Sequence, residues 1–376
     1  MYGCTIIIVR NRETFITRYI GIAERHIYIY FVCALQSHVE RVGHNMNQQF
    51  IDDLKVRAKA GHKRVVFAEA DCADILRCAE QLLAEDIADV LLVGNPDEVK
   101  ALAASESINI EGAEFFDYTS EEERQSLVEP VLAASSQFKE KAILRRAKKP
   151  LNAAMFLTLI GRADCCAAGR VLTTGDVIIA AQTIIGLAPG VSSISSIGIV
   201  DAPGFEGPQG PMLAIGDCAI NVLPDAETLA DIAIASADTV STLLGWDPRV
   251  AMLAFSTDGS AEDPSIDVIR EGVRIAQERR PDLKIDGEFQ LDTAINPVSA
   301  SRKLTRPSEV AGKANVLIFP NIHAGNIGVK LIQTFGHADA YGPIIQGFAK
   351  PISDFSRSAP VSEMMGNILM LLVRAN

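Results

Sequence analysis

Between residues 64 and 93 the chain alternates in a way that few folds can use. Residues 64–68 (RVVFA) and 89–93 (DVLLV) are short, almost wholly apolar runs. Between them Ile75, Leu76, Ala79, Leu82 and Leu83 recur at helical spacing. Strand, amphipathic helix and second apolar strand make a βαβ unit, and the two strands of such a unit run parallel. The alternation continues along the chain. Strands are expected at 192–200, 213–222, 249–255 and 314–320, with a further strand or turn at 163–170. Helices are expected at 50–60, 120–135, 152–160, 225–244 and 264–279. The pattern predicts an α/β protein of three-layer units with a doubly wound, mostly parallel sheet.

With 376 residues there is material for two domains. The 47 acidic against 35 basic side chains give a net charge of −12, which argues against nucleic acid as a partner, because a phosphate backbone needs a basic face. The seven cysteines form no CxxC pair, and the six histidines lack ligand spacing. Reduced thiols in a cytoplasmic protein, with no metal site, are therefore expected. No GxGxxG follows the first strand and no GxxxxGK[ST] occurs, so nucleotide-loop chemistry is disfavoured. The first 45 residues differ in character from the rest, and a normal amphipathic helix starts only after Met46. We read 1–45 as a non-native or disordered extension. Its apolar stretch 28–35 is too short to span a bilayer.

Residues 341–363 (YGPIIQGFAKPISDFSRSAPVSE) concentrate the chemistry. Ile344 and Ile345 lie between Gly-Pro and Gly and read as a buried strand. Lys350-Pro351 breaks the chain. Asp354, Ser356 and Arg357 follow, and a helix opens after Pro360 with Glu363 in its first turn. A guanidinium, loose backbone N–H groups and a helix N-terminus together suit an anion. Thr173 and Asp176 are capping residues of a second helix start. The basic run 137–149 is expected to be a solvated helix face, Glu69 a solvated turn carboxylate, and His323 a surface residue. Ser256, Thr257 and Gly259 form a turn at a strand end that suits a ligand. Asp286, Glu288, Gln290 and Asp292 are read as a turn that either lines the cleft or bonds neighbouring helices.

GPIIQGFAKPISDFSR resembles the C-terminal signature of the phosphate acetyltransferases, or phosphotransacetylases. DCAIN (217–221), RVAMLAFSTDGSA (249–261), DGEFQLD (286–292) and AGNIGVK (324–330) resemble further segments of the same family. The resemblance covers most of 46–376. It implies two three-layer α/β/α domains with mostly parallel sheets and an interdomain cleft, an architecture shared with isocitrate and isopropylmalate dehydrogenases. The domains would be 46–190 plus 343–376, and 191–342, in a homodimer. It implies reversible acetyl transfer between coenzyme A and phosphate, with coenzyme A as a substrate and no resident cofactor. Ser356 would hydrogen-bond the thiol, Arg357 would hold phosphate or an oxyanion, and Glu363 would be the base where the family has aspartate. Thr174, Asp176, Ser256, Thr257, Gly259, Asn326, Gln346 and Lys350 would bind substrate. The family's arginine after the second helix start falls on Ile179, and Arg145, Arg146 and Arg170 are candidate replacements, while Lys141, Arg145 or Arg146 of the basic run could reach a phosphate. Three alternatives stand beside this reading: a butyryl or other acyl group, a non-catalytic coenzyme A or acyl-phosphate binding homologue, and a decarboxylating dehydrogenase.

Overall fold

The computed structural model describes residues 5–10, 13–18, 48–189 and 191–375. The chain forms two compact units, Met1–Asp52 and Asp53–Asn376. In the first, β1 (Thr5–Arg10) and β2 (Glu13–Arg18) pair antiparallel. The rest of the expected extension at 1–45 lies outside the described residues.

The second unit is built on one eleven-stranded sheet. In chain order its strands are β3 (Arg64–Phe67), β4 (Asp89–Val93), β5 (Glu114–Phe116), β6 (Cys165–Ala168), β7 (Ser195–Asp201) and β8 (Met212–Gly216). They continue with β9 (Arg249–Leu253), β10 (Lys284–Phe289), β11 (Val316–Ile318), β12 (Asp339–Gln346) and β13 (Ile352–Asp354). Helix α1 runs over 48–61. It is followed by α2 (Ala73–Ala84), α3 (Pro96–Ser105), α4 (Glu121–Ser126), α5 (Val128–Ala134), α6 (Glu140–Arg146), α7 (Pro150–Leu159) and α8 (Thr174–Ile184). The later helices are α9 (Ala226–Leu244), α10 (Pro264–Arg279), α11 (Leu291–Ile295), α12 (Pro297–Lys303), α13 (Ile322–Gly336) and α14 (Val361–Arg374).

Across the sheet the order is β10-β9-β11-β8-β7-β12-β13-β6-β3-β4-β5. β10, β9, β11 and β8 are parallel to one another, and so are β13, β6, β3, β4 and β5. The β8/β7, β7/β12 and β12/β13 pairs are antiparallel. The two parallel halves therefore run in opposite senses and meet at an antiparallel seam. Each half has its own core. Val66, Leu91, Cys166 and Ile352 pack with Phe156 and Val177 of α7 and α8. In the other half Ile215, Ala251, Leu317 and Phe289 pack together. Helices α2 and α14 touch each other and lie against β4 and β6.

Four expectations change. The strand foreseen over 213–222 stops at Gly216, because the buried Asp217 carboxylate takes over the backbone. It accepts from the N–H groups of Ala219 (3.0 Å), Ile220 (3.2 Å) and Asn221 (2.9 Å), folding DCAIN into a turn. Of the segment 286–292, foreseen as a turn, residues 286–289 belong to the edge strand β10. And β13, three residues after Lys350-Pro351, was not foreseen. The helix expected over 120–135 is interrupted at Leu127.

Candidate active site

The seam places the chain's reactive residues. β13 lies between β6 and β12, and the Phe355 N–H closes it onto Ala168 O at 2.8 Å. The chain then turns through Ser356 and Arg357 into α14, which brings Glu363 back in its first turn. The neighbouring strand β6 ends at Ala168 and is followed by Gly169, whose φ is +98°. A Cβ there would sit 2.0 Å from Asp354 Oδ1, so the close approach of the two strand ends requires glycine.

Glu69 fixes the next loop. It is buried, not solvated as expected. Its carboxylate accepts from the N–H groups of Arg170 (2.9 Å), Val171 (2.9 Å) and Leu172 (2.7 Å). The loop so held leads into α8, which starts with a capping box between Thr173 and Asp176. Thr174 then donates its hydroxyl to Asp354 Oδ2 at 2.6 Å, which ties the start of α8 to the end of β13.

A cleft of about 270 Å³ opens at this junction. Thr174, Asp354, Ser356, Arg357 and Glu363 line one side. Ser196 of β7, the Cys218–Ala219 turn, Tyr341–Pro343 of β12 and the α13 residues Asn326, Val329, Lys330 and Gln333 line the rest. Ser356 Oγ lies 3.1 Å from Ser358 Oγ, and the Arg357 side chain is exposed. Two carboxyls are moved toward neutrality. Burial raises Glu363 to about 7, opposed by Lys330 and reinforced by Asp339. Burial likewise raises Asp354 to about 6, against the bond from Thr174 and the nearby Arg357. Asp354 Oδ1 has no hydrogen-bond partner among the described residues. A hydroxyl, two cations and a carboxyl that exchanges protons near neutral pH suit a reaction that moves an anion and a proton together.

Of the residues singled out in the sequence, Ser356, Arg357, Glu363, Thr174 and Asn326 share this cleft. The others do not line it. Asp176 caps α8 and faces a separate groove of about 440 Å³ with Arg146, Lys149 and the exposed Ile179. Ser256 Oγ (2.8 Å) and Gly259 N (3.0 Å) instead hold Glu288. Burial alone would raise Glu288, but Arg270 and these donors bring it down to about 2. Thr257 accepts from Gln290 N at 3.0 Å. Asp286 receives Arg306 and Ser308, so both carboxylates of that edge serve the fold. Gln346 is buried and bonded to Ser195, Thr239 and Ala235. Lys350 lies in the turn between β12 and β13. His323 is exposed, as expected. Arg170 is paired with Asp74 at 2.7 Å and also reaches Arg357 O. Lys330 and Asp354 were not singled out as site residues.

A cleft of this chemistry at the seam of a mixed α/β sheet defines an acyl- or phosphoryl-handling transferase class. The match is specific: a model of the family described as phosphate acetyl/butaryl transferase covers residues 49–372, and the chain belongs to that family. Phosphate acetyltransferase of Thermoanaerobacterium thermosaccharolyticum is 38% identical over 86% of this chain and 99% of that enzyme. The solved EutD phosphotransacetylase from Staphylococcus aureus superimposes with a TM-score of 0.79 at 32% identity, over 88% of this chain and 99% of that one. A 4-hydroxythreonine-4-phosphate dehydrogenase from Klebsiella pneumoniae, at 12% identity and TM-score 0.50, shares the fold over 84% of this chain and all of its own.

Proposed function

We propose that this protein is a phosphate acetyltransferase, catalysing acetyl-CoA + phosphate = acetyl phosphate + CoA. The observation that carries the reading is the convergence of Ser356, Arg357 and Glu363 on one cleft. Toward acetyl-CoA, the thiol sulfur attacks the acetyl carbon and the bond to the phosphate oxygen breaks. The thiol proton passes to Glu363 and then to the departing phosphate. Ser356 orients the thiol, and Arg357 binds phosphate or the developing oxyanion. Thr174 and Asn326 complete the binding walls. Coenzyme A enters as a substrate, and the steps call on no resident cofactor.

The two oppositely running halves of the sheet support the division into 46–190 plus 343–376 and 191–342, with the cleft at their seam. We also infer a cytoplasmic homodimer. Support for the dimer comes from α13, where Ile327, Leu331 and Phe335 form an exposed apolar stripe and only Gly325 is buried. Among the described residues no helix is long and apolar enough to cross a membrane.

A second reading, a non-catalytic binder of coenzyme A or acyl phosphate, is favoured by isoleucine at position 179 and glutamate at 363. Thioester absorbance with acetyl phosphate and CoA separates the two. Acetyl-CoA formation that falls at least a hundredfold in Arg357→Ala is expected, since one donor aimed at a developing oxyanion contributes about 2.7 to 4 kcal/mol. No turnover with acetyl, propionyl or butyryl phosphate, beside clear calorimetric binding of CoA, would favour the binder. Faster turnover of butyryl phosphate would reassign the acyl chain.

A further inference from the structure

We propose that Lys330 is a further catalytic residue, whose ammonium holds the phosphoryl group of the acyl phosphate and follows the leaving phosphate as its bond to the acyl carbon breaks. The proposal rests on the acyl-transfer reading above. Among the described residues, the cleft walls carry two cationic side chains, Arg357 and Lys330. A phosphate leaving with the bonding electron pair is highly charged and needs more than one cation beside it. Three arginines elsewhere are committed, Arg170 to Asp74, Arg270 to Glu288 and Arg306 to Asp286, and Arg146 lines the separate groove instead. Lys330 has no ion-pair partner within 4 Å among the described residues.

Its position is fixed by the helix and not by chance exposure. Asn326, Val329, Lys330 and Gln333 share one face of α13 by helical spacing, and all four line the cleft. Asn321 caps that helix, and Asn326 Nδ2 bonds Cys218 O at 3.3 Å, which anchors the face. Glu363 lies within the electrostatic reach of Lys330, which lowers its pKa, while Asp339 on β12 raises it. The other charged groups of the cleft are Arg357 and Asp354, in the segment before α14.

In the transfer, the sulfur–carbon bond forms as the carbon–oxygen bond breaks. The electron pair goes to the phosphate oxygen, and the thiol proton reaches that oxygen through Glu363. Lys330 supplies positive charge and keeps its own proton throughout.

The test compares wild type with Lys330→Met and Lys330→Arg. In Lys330→Met, KM for acetyl phosphate should rise about tenfold or more, the scale of one charge-assisted hydrogen bond, while KM for CoA stays within about twofold. The acid limb of the kcat profile should move to higher pH, because Glu363 loses the cation that opposes its burial. Lys330→Arg should recover most of the phosphate KM. Calorimetry with inorganic phosphate should show about tenfold weaker binding in Lys330→Met, and this readout needs no turnover. Weaker phosphate binding in the variant of a protein that makes no acetyl-CoA would remove the acyl-transfer reading and the catalytic step with it. Unchanged phosphate affinity, acetyl phosphate KM and acid limb in Lys330→Met would overturn the proposal, even if kcat fell.

Discussion

Glu363 sits where a small change in pH changes its charge. Its carboxyl titrates near 7, chiefly because α14 carries it into a half-buried position that strips water from its charged form. As a base it must be ionised, so kcat toward acetyl-CoA should rise as pH increases through about 7. Glu363→Gln should remove that limb and lower kcat at least a hundredfold; a pH–rate profile of both proteins checks this. The same shift bears on stability with a defined sign. An unfolded carboxyl titrates near 4, whereas the folded groups titrate near 6 (Asp354) and 7 (Glu363). The folded state binds more protons across that window, so stability falls as pH rises through it. Asp354→Asn or Glu363→Gln should therefore gain roughly 1 kcal/mol at pH 8, after discounting for solvent screening, and nothing at pH 4. Urea melts at the two pH values measure it. The site was partly legible in the sequence because Ser356, Arg357 and Glu363 fall within one strand–turn–helix stretch. Lys330 and Asp354 were less legible, because what matters for them is which strand end or helix face lies opposite. Gln346 and Ser256 illustrate the reverse case: their residue type suits a ligand, yet buried neighbours already satisfy them.

At the scale of elements, the junction of β6, β13 and α8 depends on contacts between segments far apart in the chain. Gly169→Ala would place a methyl against Asp354 at a positive φ. We expect a loss of about 2–4 kcal/mol from strain and overpacking, read from urea unfolding by Trp246 fluorescence, together with lower activity. Thr173→Ala should cost about 1 kcal/mol by opening the capping box of α8, detected in the same melt. The long elements were readable: β4 and α10 occupy the residues that the pattern assigned to them. β13 was not, because three residues after a Lys-Pro break carry too little periodicity to register. Its identity as a strand comes from the partners on either side, β6 and β12. The stop at Gly216 was hidden for a similar reason, since Asp217 ends β8 by folding its own following turn.

At the scale of the whole molecule, the apolar stripe of α13 bears on assembly. If a second copy covers it, Phe335→Asp should halve the mass seen by light scattering, from twice the 40.4 kDa chain to one. An unchanged dimer would place the contact elsewhere. The topology has a consequence of another kind. β6 gains its neighbour β13 only from residues 352–354, within the last twenty-five of the chain. During synthesis, then, the first half of the sheet waits with an open, hydrogen-bond-hungry border until residue 354 has been added. The reactive hydroxyl, guanidinium and carboxyl arrive on that same closing segment. A product that lacks residues 352–363 has both an adhesive edge and an empty workshop, so a closed border and competence are conferred together by one segment.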